Sequence, residues 1–467
     1  LTAPTTTALP PAFVESLRAL LVPDGLITAI DERWTYGYDN SRRHALPDLV
    51  VRPADHAQVH EVLRLCNQYH VPLVARGYGT GTTGAAVPLS GGVVLSLERM
   101  NRILRFDPAN RLMVVEPGVT NQAVQDAAAA HGFFWPPDPT SAAVCSIGGN
   151  LACNAAGPRA VKYGTPRENV LGLRAISGGG IDLRTGVHTT KGVVGYDLTR
   201  LLIGSEGTLA VITEATLKLT PLPQARRTLQ AIYRDMRSAA EAISRIMAQP
   251  VVPCALEFMD AKAIEMIRGY AGDVLPAHAG SLLMIEVDGP SSCLDEAAQA
   301  LITAAGGAGC IEVVEARTAE EVAALWKTRK ALSPALRTVA PKKINEDVVV
   351  PVSHIPELIE GLGELAAQHR ITIVNFGHAG NGNIHVNLLA NPDDAEEMER
   401  ARNCLSEVFD LVLRLDGTLS GEHGIGVEKR DFVMREIEPG TLALMHAIKA
   451  QFDPLGILNP GKKLPPS

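Results

Sequence analysis

At 467 residues, 46% hydrophobic and 20% charged, the chain exceeds what one hydrophobic core usually organises, and it has the apolar content for two or three domains. A formal net charge of -8, with no cluster of Lys or Arg, excludes the basic footprint of a nucleic-acid binder or of a protein drawn to anionic lipid. The seven cysteines (Cys66, Cys145, Cys153, Cys254, Cys293, Cys310, Cys404) are odd in number, scattered and never spaced Cys-x-x-Cys. That excludes a disulfide scaffold, a zinc ribbon and an iron–sulfur cluster, and fits a reducing compartment such as the cytoplasm.

In chain order, the first 15 residues lack the basic-then-apolar order of a signal peptide, although a removed leader stays open. No run of about 18 apolar residues follows anywhere to span a membrane. Leu49-Val50-Val51 reads as a short strand, and Asp55-His56-Ala57-Gln58 has the spacing of a capping box opening a helix with Val59, Leu63 and Cys66 on one face. A strand over 71–75 completes a β-α-β unit and delivers the chain into Arg76-Gly77-Tyr78-Gly79-Thr80-Gly81-Thr82-Thr83-Gly84. Gly79, Gly81 and Gly84 match the dinucleotide fingerprint, but Pro88, Gly91 and Gly92 and then a strand, 93–97, follow where a Rossmann helix would open. What remains is a loop whose backbone N–H groups can approach an anion closely, with threonine hydroxyls beside them, which suits a pyrophosphate. Ser146-Ile147-Gly148-Gly149-Asn150, running on to Asn154 and Gly157, and Gly204-Ser205-Glu206-Gly207 are two further glycine-rich segments beside apolar strands. Three in one domain suggest a cofactor wrapped by backbone.

After Pro221-Leu222-Pro223 the pattern changes. Helices are expected over 237–248, 260–269, 353–368 and 394–415, with strands over 255–259, 282–287, 311–315, 347–350, 371–376 and 384–389. Strands alternating with helices that cover one face point to an α+β domain on an antiparallel sheet. The turn joining its last two strands reads His378-Ala379-Gly380-Asn381-Gly382-Asn383-Ile384-His385, and Gly421-Glu422-His423-Gly424 comes later. Two imidazoles flanking a glycine-rich turn, plus a distant Glu, can form a two-His-one-carboxylate metal site with coordination positions left for a chelating substrate.

These segments, together with the terminal Asn459-Pro460-Gly461-Lys462, occur in an order that resembles the FAD-dependent vanillyl-alcohol oxidase and p-cresol methylhydroxylase superfamily. Within it the chain looks like the branch of FAD-linked D-lactate dehydrogenase, D-2-hydroxyglutarate dehydrogenase and the glycolate oxidase flavin subunit, from about Pro47 to Lys463. The resemblance implies an α+β fold with a two-subdomain FAD-binding domain over 1–225 (subdomains near 45–105 and 106–220). It further implies an α+β cap domain on an antiparallel sheet over 226–425 that carries the metal site and caps the flavin ring. A segment over 426–467 would return to the FAD domain. Where the family turn usually reads His-x-Gly-Asp-Gly-Asn-x-His, this chain has Asn381, which changes the charge beside the ligands.

By the same resemblance FAD is held non-covalently by Arg76, Gly77, Gly79, Thr80, Gly81, Thr82, Thr83, Pro139, Thr140, Ser146, Gly149, Asn150, Asn154, Gly157, Glu206, Gly207, Ile212 and Asn459. His378, His385 and Glu422 hold zinc or manganese, and His423 is the base that takes the substrate hydroxyl proton. Arg329 matches the carboxylate clamp, for which a planar guanidinium is suited; Lys342 or Lys343 adds a second cation, and Ser333 and Asn387 line the side-chain end of the substrate. The expected reaction oxidises a D-2-hydroxy acid, D-lactate ahead of D-2-hydroxyglutarate and glycolate: Asn387 and Ser333 are small polar groups resembling the 2-hydroxyglutarate enzymes, while the general run of motifs looks more like the lactate and glycolate enzymes. Electrons would pass to an external quinone, cytochrome or electron-transfer flavoprotein, with peripheral membrane association through that acceptor and a homodimer both open. A non-catalytic flavin or metal store would not need His423 beside the ligand Glu422, and an NAD enzyme would need the Rossmann unit that the Gly79 loop does not open.

Overall fold

The structure, a computed structural model, describes residues 9–271, 276, 278–326 and 342–466. Two compact units are present: Leu1–Gly157, Gly164–Leu222 and Glu422–Ser467 form the first, and Pro158–Tyr163 with Pro223–Gly421 form the second. Among the described residues no helix is long and apolar enough to cross a membrane.

The first unit holds two main sheets. The smaller is ordered Leu26–Ile27, Leu49–Val51, Val93–Ser96, Leu73–Arg76, parallel except at its first pair. Helix His56–Tyr69 starts where the Asp55 carboxylate accepts the Gln58 N–H at 2.9 Å; the Gln58 side chain accepts from Ala54, one residue before the expected partner. It ends at His70, in the left-handed conformation at φ 53°. Val59, Leu63 and Cys66 face Leu73, Val93 and Leu95 in one core. The β-α-β unit is therefore present, but its two strands do not touch: Val93–Ser96, buried along its whole length, lies between them. A strand apolar on both faces belongs inside a sheet. The outer side of Leu73 is taken by the C-terminal segment, where Leu73 donates to the Ile457 carbonyl and accepts from the Asn459 N–H, both at 2.8 Å.

The second sheet of this unit is antiparallel, ordered Ile103–Asp107, Leu112–Val115, Ala210–Lys218, Val170–Ser177, Asp182–Gly186. Its core gathers Met113, Val115, Ile147, Leu151, Ala215 and the fully buried Trp135, whose indole N–H donates to the Asn169 carbonyl at 3.0 Å. That bond satisfies the one polar atom of a large apolar side chain.

The second unit is built on seven antiparallel strands in the order Cys310–Ala316, Ala225–Tyr233, Ser281–Gly289, Ala255–Met259, Thr372–His378, Asn383–Ala390, Lys342–Val349. Helices Met236–Ala248, Ala261–Ala271, Ile355–His369 and Ala395–Arg414 fall where their apolar periodicity puts them. Two elements escaped the sequence. Ala225–Tyr233 follows a proline pair and opens on Arg226-Arg227, yet pairs along its full length with Ser281–Gly289. Helix Leu294–Ala305 packs through a stripe of Leu294, Ala298, Leu301 and Ala305. Register places Glu257, His378, His385, Asp347, Asn387, Asn345 and Lys343 on one face of the sheet, since paired residues share a face and alternate residues return to it.

Candidate active site

In the first unit, strand Leu73–Arg76 feeds the glycine loop, whose shape excludes side chains. A Cβ on Gly77 would lie 2.2 Å from the Ser146 hydroxyl, and one on Gly79, at φ +69°, 2.1 Å from the Arg76 guanidinium. Arg76 is itself buried, donating to the Tyr38 carbonyl at 2.7 Å. Ser146 caps helix Ile147–Cys153 by accepting the Gly149 N–H, and Asn154 ends it at φ 57° while its side-chain oxygen accepts from Arg167. Asn150 is buried between Asn121 and the Cys145 thiol. Gly157, at φ +82°, lies against the Asp138 carbonyl, and its N–H donates to Glu422 at 3.0 Å.

The Glu206 carboxylate accepts the Ile425 and Gly426 N–H groups at 2.9 and 2.7 Å and Lys463 at 3.1 Å, while Asn459 donates to the carbonyls of Glu206 and Ala85. Lys462 donates to Ala85 and Asn459; burial pushes its ammonium down to about 7, against the opposing pull of Asp39 and Glu206. The side chains of Arg76, Asn154, Glu206 and Asn459 are thus used to hold backbone, and that of Asn150 holds the side chains of Asn121 and Cys145. Pro139 and Thr140 sit in a turn closed by the Ala142 N–H, Ile212 is buried in its strand, and Gly207 has no atom nearer its Cβ position than 3.7 Å. The Thr82 hydroxyl is buried with no partner among the described residues. Glycine-lined space with an orphaned hydroxyl fits a diphosphate.

In the second unit, His378 ends one strand and His385 lies on the next, their ring centroids 5.3 Å apart and nearly perpendicular. Gly382, at φ +73°, makes the turn between them; a Cβ there would meet the Val350 carbonyl at 1.8 Å. Glu257, directly opposite His378 on the neighbouring strand, accepts from His378 Nδ1 at 2.5 Å. That bond fixes the tautomer that offers Nε2 as a ligand. Asp347, opposite His385, accepts from the Ser420 hydroxyl and the Gly421 N–H, anchoring the residues that precede Glu422. Among the described residues, His378, His385 and Glu422 form the group able to hold a metal ion, their ligand atoms within 4.8 Å of one another. Two nitrogens and a carboxylate suit a divalent metal.

Glu257 and Asp347 were not singled out by sequence. The signal was a lone carboxylate in an otherwise apolar strand, Ala255-Leu256-Glu257-Phe258-Met259. Asn381 is exposed in the turn, and a carboxylate, that of Glu257, stands beside His378.

Of the expected substrate groups, Arg329 and Ser333 lie outside the described residues. Register separates Lys342 from Lys343: Lys343 shares the face of His385 and Asn387, and Lys342 takes the opposite face. Asn387 is buried, with its amide hydrogens directed to the carbonyls of Val374 and His385 at 3.0 Å. His423 follows Glu422 directly, and its carbonyl accepts from the Thr83 hydroxyl at 3.4 Å.

Residues 47–186 match the model of an FAD binding domain, and residues 222–463 that of the FAD linked oxidases, C-terminal domain. The chain belongs to the FAD-linked oxidase family. Family members similar along nearly the whole length include the glycolate oxidase subunit GlcD of Bacillus subtilis, 38% identical over 92% of this chain and 92% of its own. The D-lactate dehydrogenase of Archaeoglobus fulgidus is 37% identical over 89% and 90%, and the D-2-hydroxyglutarate dehydrogenase of Stutzerimonas stutzeri 32% over 97% and 98%. The fold of this FAD-linked oxidase is also that of substrate-bound p-cresol methylhydroxylase, with a TM-score of 0.79 at 19% identity over 97% and 96% of the chains. That likeness is one of fold. By its family the chain is an FAD-dependent oxidoreductase.

Proposed function

We propose that this protein is a metal-assisted FAD-dependent dehydrogenase that oxidises a D-2-hydroxy acid to the 2-oxo acid, D-lactate first, with glycolate and D-2-hydroxyglutarate as the alternatives. The observation that carries the reading is the His378, His385, Glu422 group, with Glu257 behind His378. A divalent metal there would chelate the hydroxyl and carboxylate of the substrate and lower the hydroxyl pKa. Bound FAD supplies the hydride acceptor. His423 takes the hydroxyl proton, a role worth roughly 100- to 10,000-fold in rate. Arg329 and Lys343 hold the carboxylate end. The FAD is non-covalent, a reading supported by the Cys145 thiol, which is buried against the Asn150 amide. Electrons leave to an external acceptor, a quinone, a cytochrome or an electron-transfer flavoprotein.

The short substrate is favoured at Asn387. Its amide hydrogens are used inside the sheet, and its side-chain oxygen, like that of the cross-strand Asn345, is a buried acceptor without a donor among the described residues. A second carboxylate would bring further acceptors to that place. Steady-state assays with a dye acceptor are expected to give kcat/KM highest for D-lactate, followed by glycolate and D-2-hydroxyglutarate. A preference for L enantiomers, or no turnover of any 2-hydroxy acid, would overturn the assignment; a preference for D-2-hydroxyglutarate would overturn the argument from Asn387 alone.

A further inference from the structure

The glycine loop is held from outside the residues that match the FAD-binding model, by the turn Asp39-Asn40-Ser41. Asp39 is buried, and its Oδ1 accepts both the N–H and the hydroxyl of Ser41, at 3.0 and 2.5 Å. Asn40, an exposed residue, makes two bonds to the loop. Its backbone N–H donates to the Gly81 carbonyl at 2.8 Å and its side-chain Nδ2 to the Thr80 carbonyl at 3.1 Å. All peptide bonds of the loop are trans, so each carbonyl and the N–H of the same peptide plane point in opposite directions. Drawing the Thr80 and Gly81 carbonyls toward Asn40 therefore turns the N–H groups of Gly81 and Thr82 away from it. Among the described residues, none of the N–H groups from Gly79 to Thr83 donates a hydrogen bond. The Thr82 hydroxyl is likewise buried and unpaired. Left to itself, a loop rich in glycine and threonine would sample many peptide orientations and lose that freedom only on binding.

We propose that Asn40 is a positioning residue for the cofactor. By holding two successive carbonyls it preorganises the opposite, N–H side of the loop as the seat of the FAD diphosphate. The inference rests on the FAD-binding reading of this loop and adds a residue to it. Its consequence is selective: Asn40 favours flavins that carry a diphosphate and is indifferent to the isoalloxazine ring.

The test compares wild type with Asn40→Ala, which removes the side-chain donor, and Asn40→Asp, which replaces it with an acceptor facing the Thr80 carbonyl. Flavin release from the purified holoenzyme is followed by the rise of flavin fluorescence, and the stripped protein is then titrated with FAD and with riboflavin. For Asn40→Ala the FAD Kd is expected to rise about two- to tenfold, the range for one hydrogen bond. For Asn40→Asp it rises further, and riboflavin affinity is unchanged in both. Equal losses for FAD and riboflavin would reduce Asn40 to general scaffolding, and unchanged FAD release in both variants would overturn the proposal. Should Asn40→Asp fail to fold, Asn40→Ala, at an exposed position, decides alone. A wild-type protein that holds no FAD would instead overturn the reading of the loop itself.

Discussion

Glu257 shows how one residue can set the properties of a site it does not itself complete. Its carboxylate is almost wholly buried, in a strand where every neighbour is apolar, and its bond to His378 is what offsets that burial. Replacing it with Gln keeps the shape but removes the charge that polarises the imidazole. Glu257→Gln is expected to weaken retention of a divalent metal about 10- to 100-fold, as removal of such partners typically does. Competition with a chromophoric chelator measures this directly, and wild-type retention would remove Glu257 from the role. Lys462 is the other telling residue. Its folded pKa of about 7 lies below its ordinary value near 10.5, chiefly through burial. Between those values the unfolded chain binds the extra proton, so the contribution of Lys462 to stability grows as pH rises through that window and is lost as pH falls through about 7. Wild type should therefore gain, on the order of 3 kcal/mol, over Lys462→Met between pH 7 and 10. Denaturation midpoints for the two proteins that run parallel across this range would contradict it.

The hairpin Thr372–His378 to Asn383–Ala390 depends on its turn. Gly382 combines a left-handed φ with a backbone carbonyl where a methyl group would have to go. Gly382→Ala is expected to cost about 1–3 kcal/mol for the backbone strain, with the steric conflict in addition. It should lower the denaturant midpoint together with metal retention, and an unchanged midpoint would mean the turn can reshape without loss. The same hairpin shows what sequence can say about an element. Alternating apolar residues on either side of His378-Ala379-Gly380-Asn381-Gly382 suffice to predict two strands and a tight turn. Which of the neighbouring strands lies beside Thr372–His378 is another matter, and it is Ala255–Met259, more than a hundred residues earlier in the chain, that brings in Glu257.

For the molecule as a whole, the prediction follows from the division into two units with separate cores. His378 belongs to the second unit and the glycine loop to the first. His378→Ala is expected to abolish turnover and metal retention while the ratio of flavin to protein absorbance stays at the wild-type value. Loss of FAD with the metal would contradict that separation, and full activity after exhaustive chelation would remove the metal from the reaction.

The sequence by itself determined the local features. Helices follow capping residues, and two histidines flank a tight turn. Both depend on neighbours a few residues away, where spacing and propensity act. Tertiary structure decided what depends on contacts distant along the chain. Val93–Ser96 separates the two strands of the β-α-β unit because it is apolar on both faces. Ala225–Tyr233 forms a strand despite its paired arginines because two neighbours satisfy its backbone. Glu206 holds the backbone of Ile425 and Gly426, Asn459 joins the carbonyls of Glu206 and Ala85, and Lys343 rather than Lys342 shares the face of His385. Register and strand order arise from burying whole faces at once, and the free energy of that burial belongs to no single stretch of the chain.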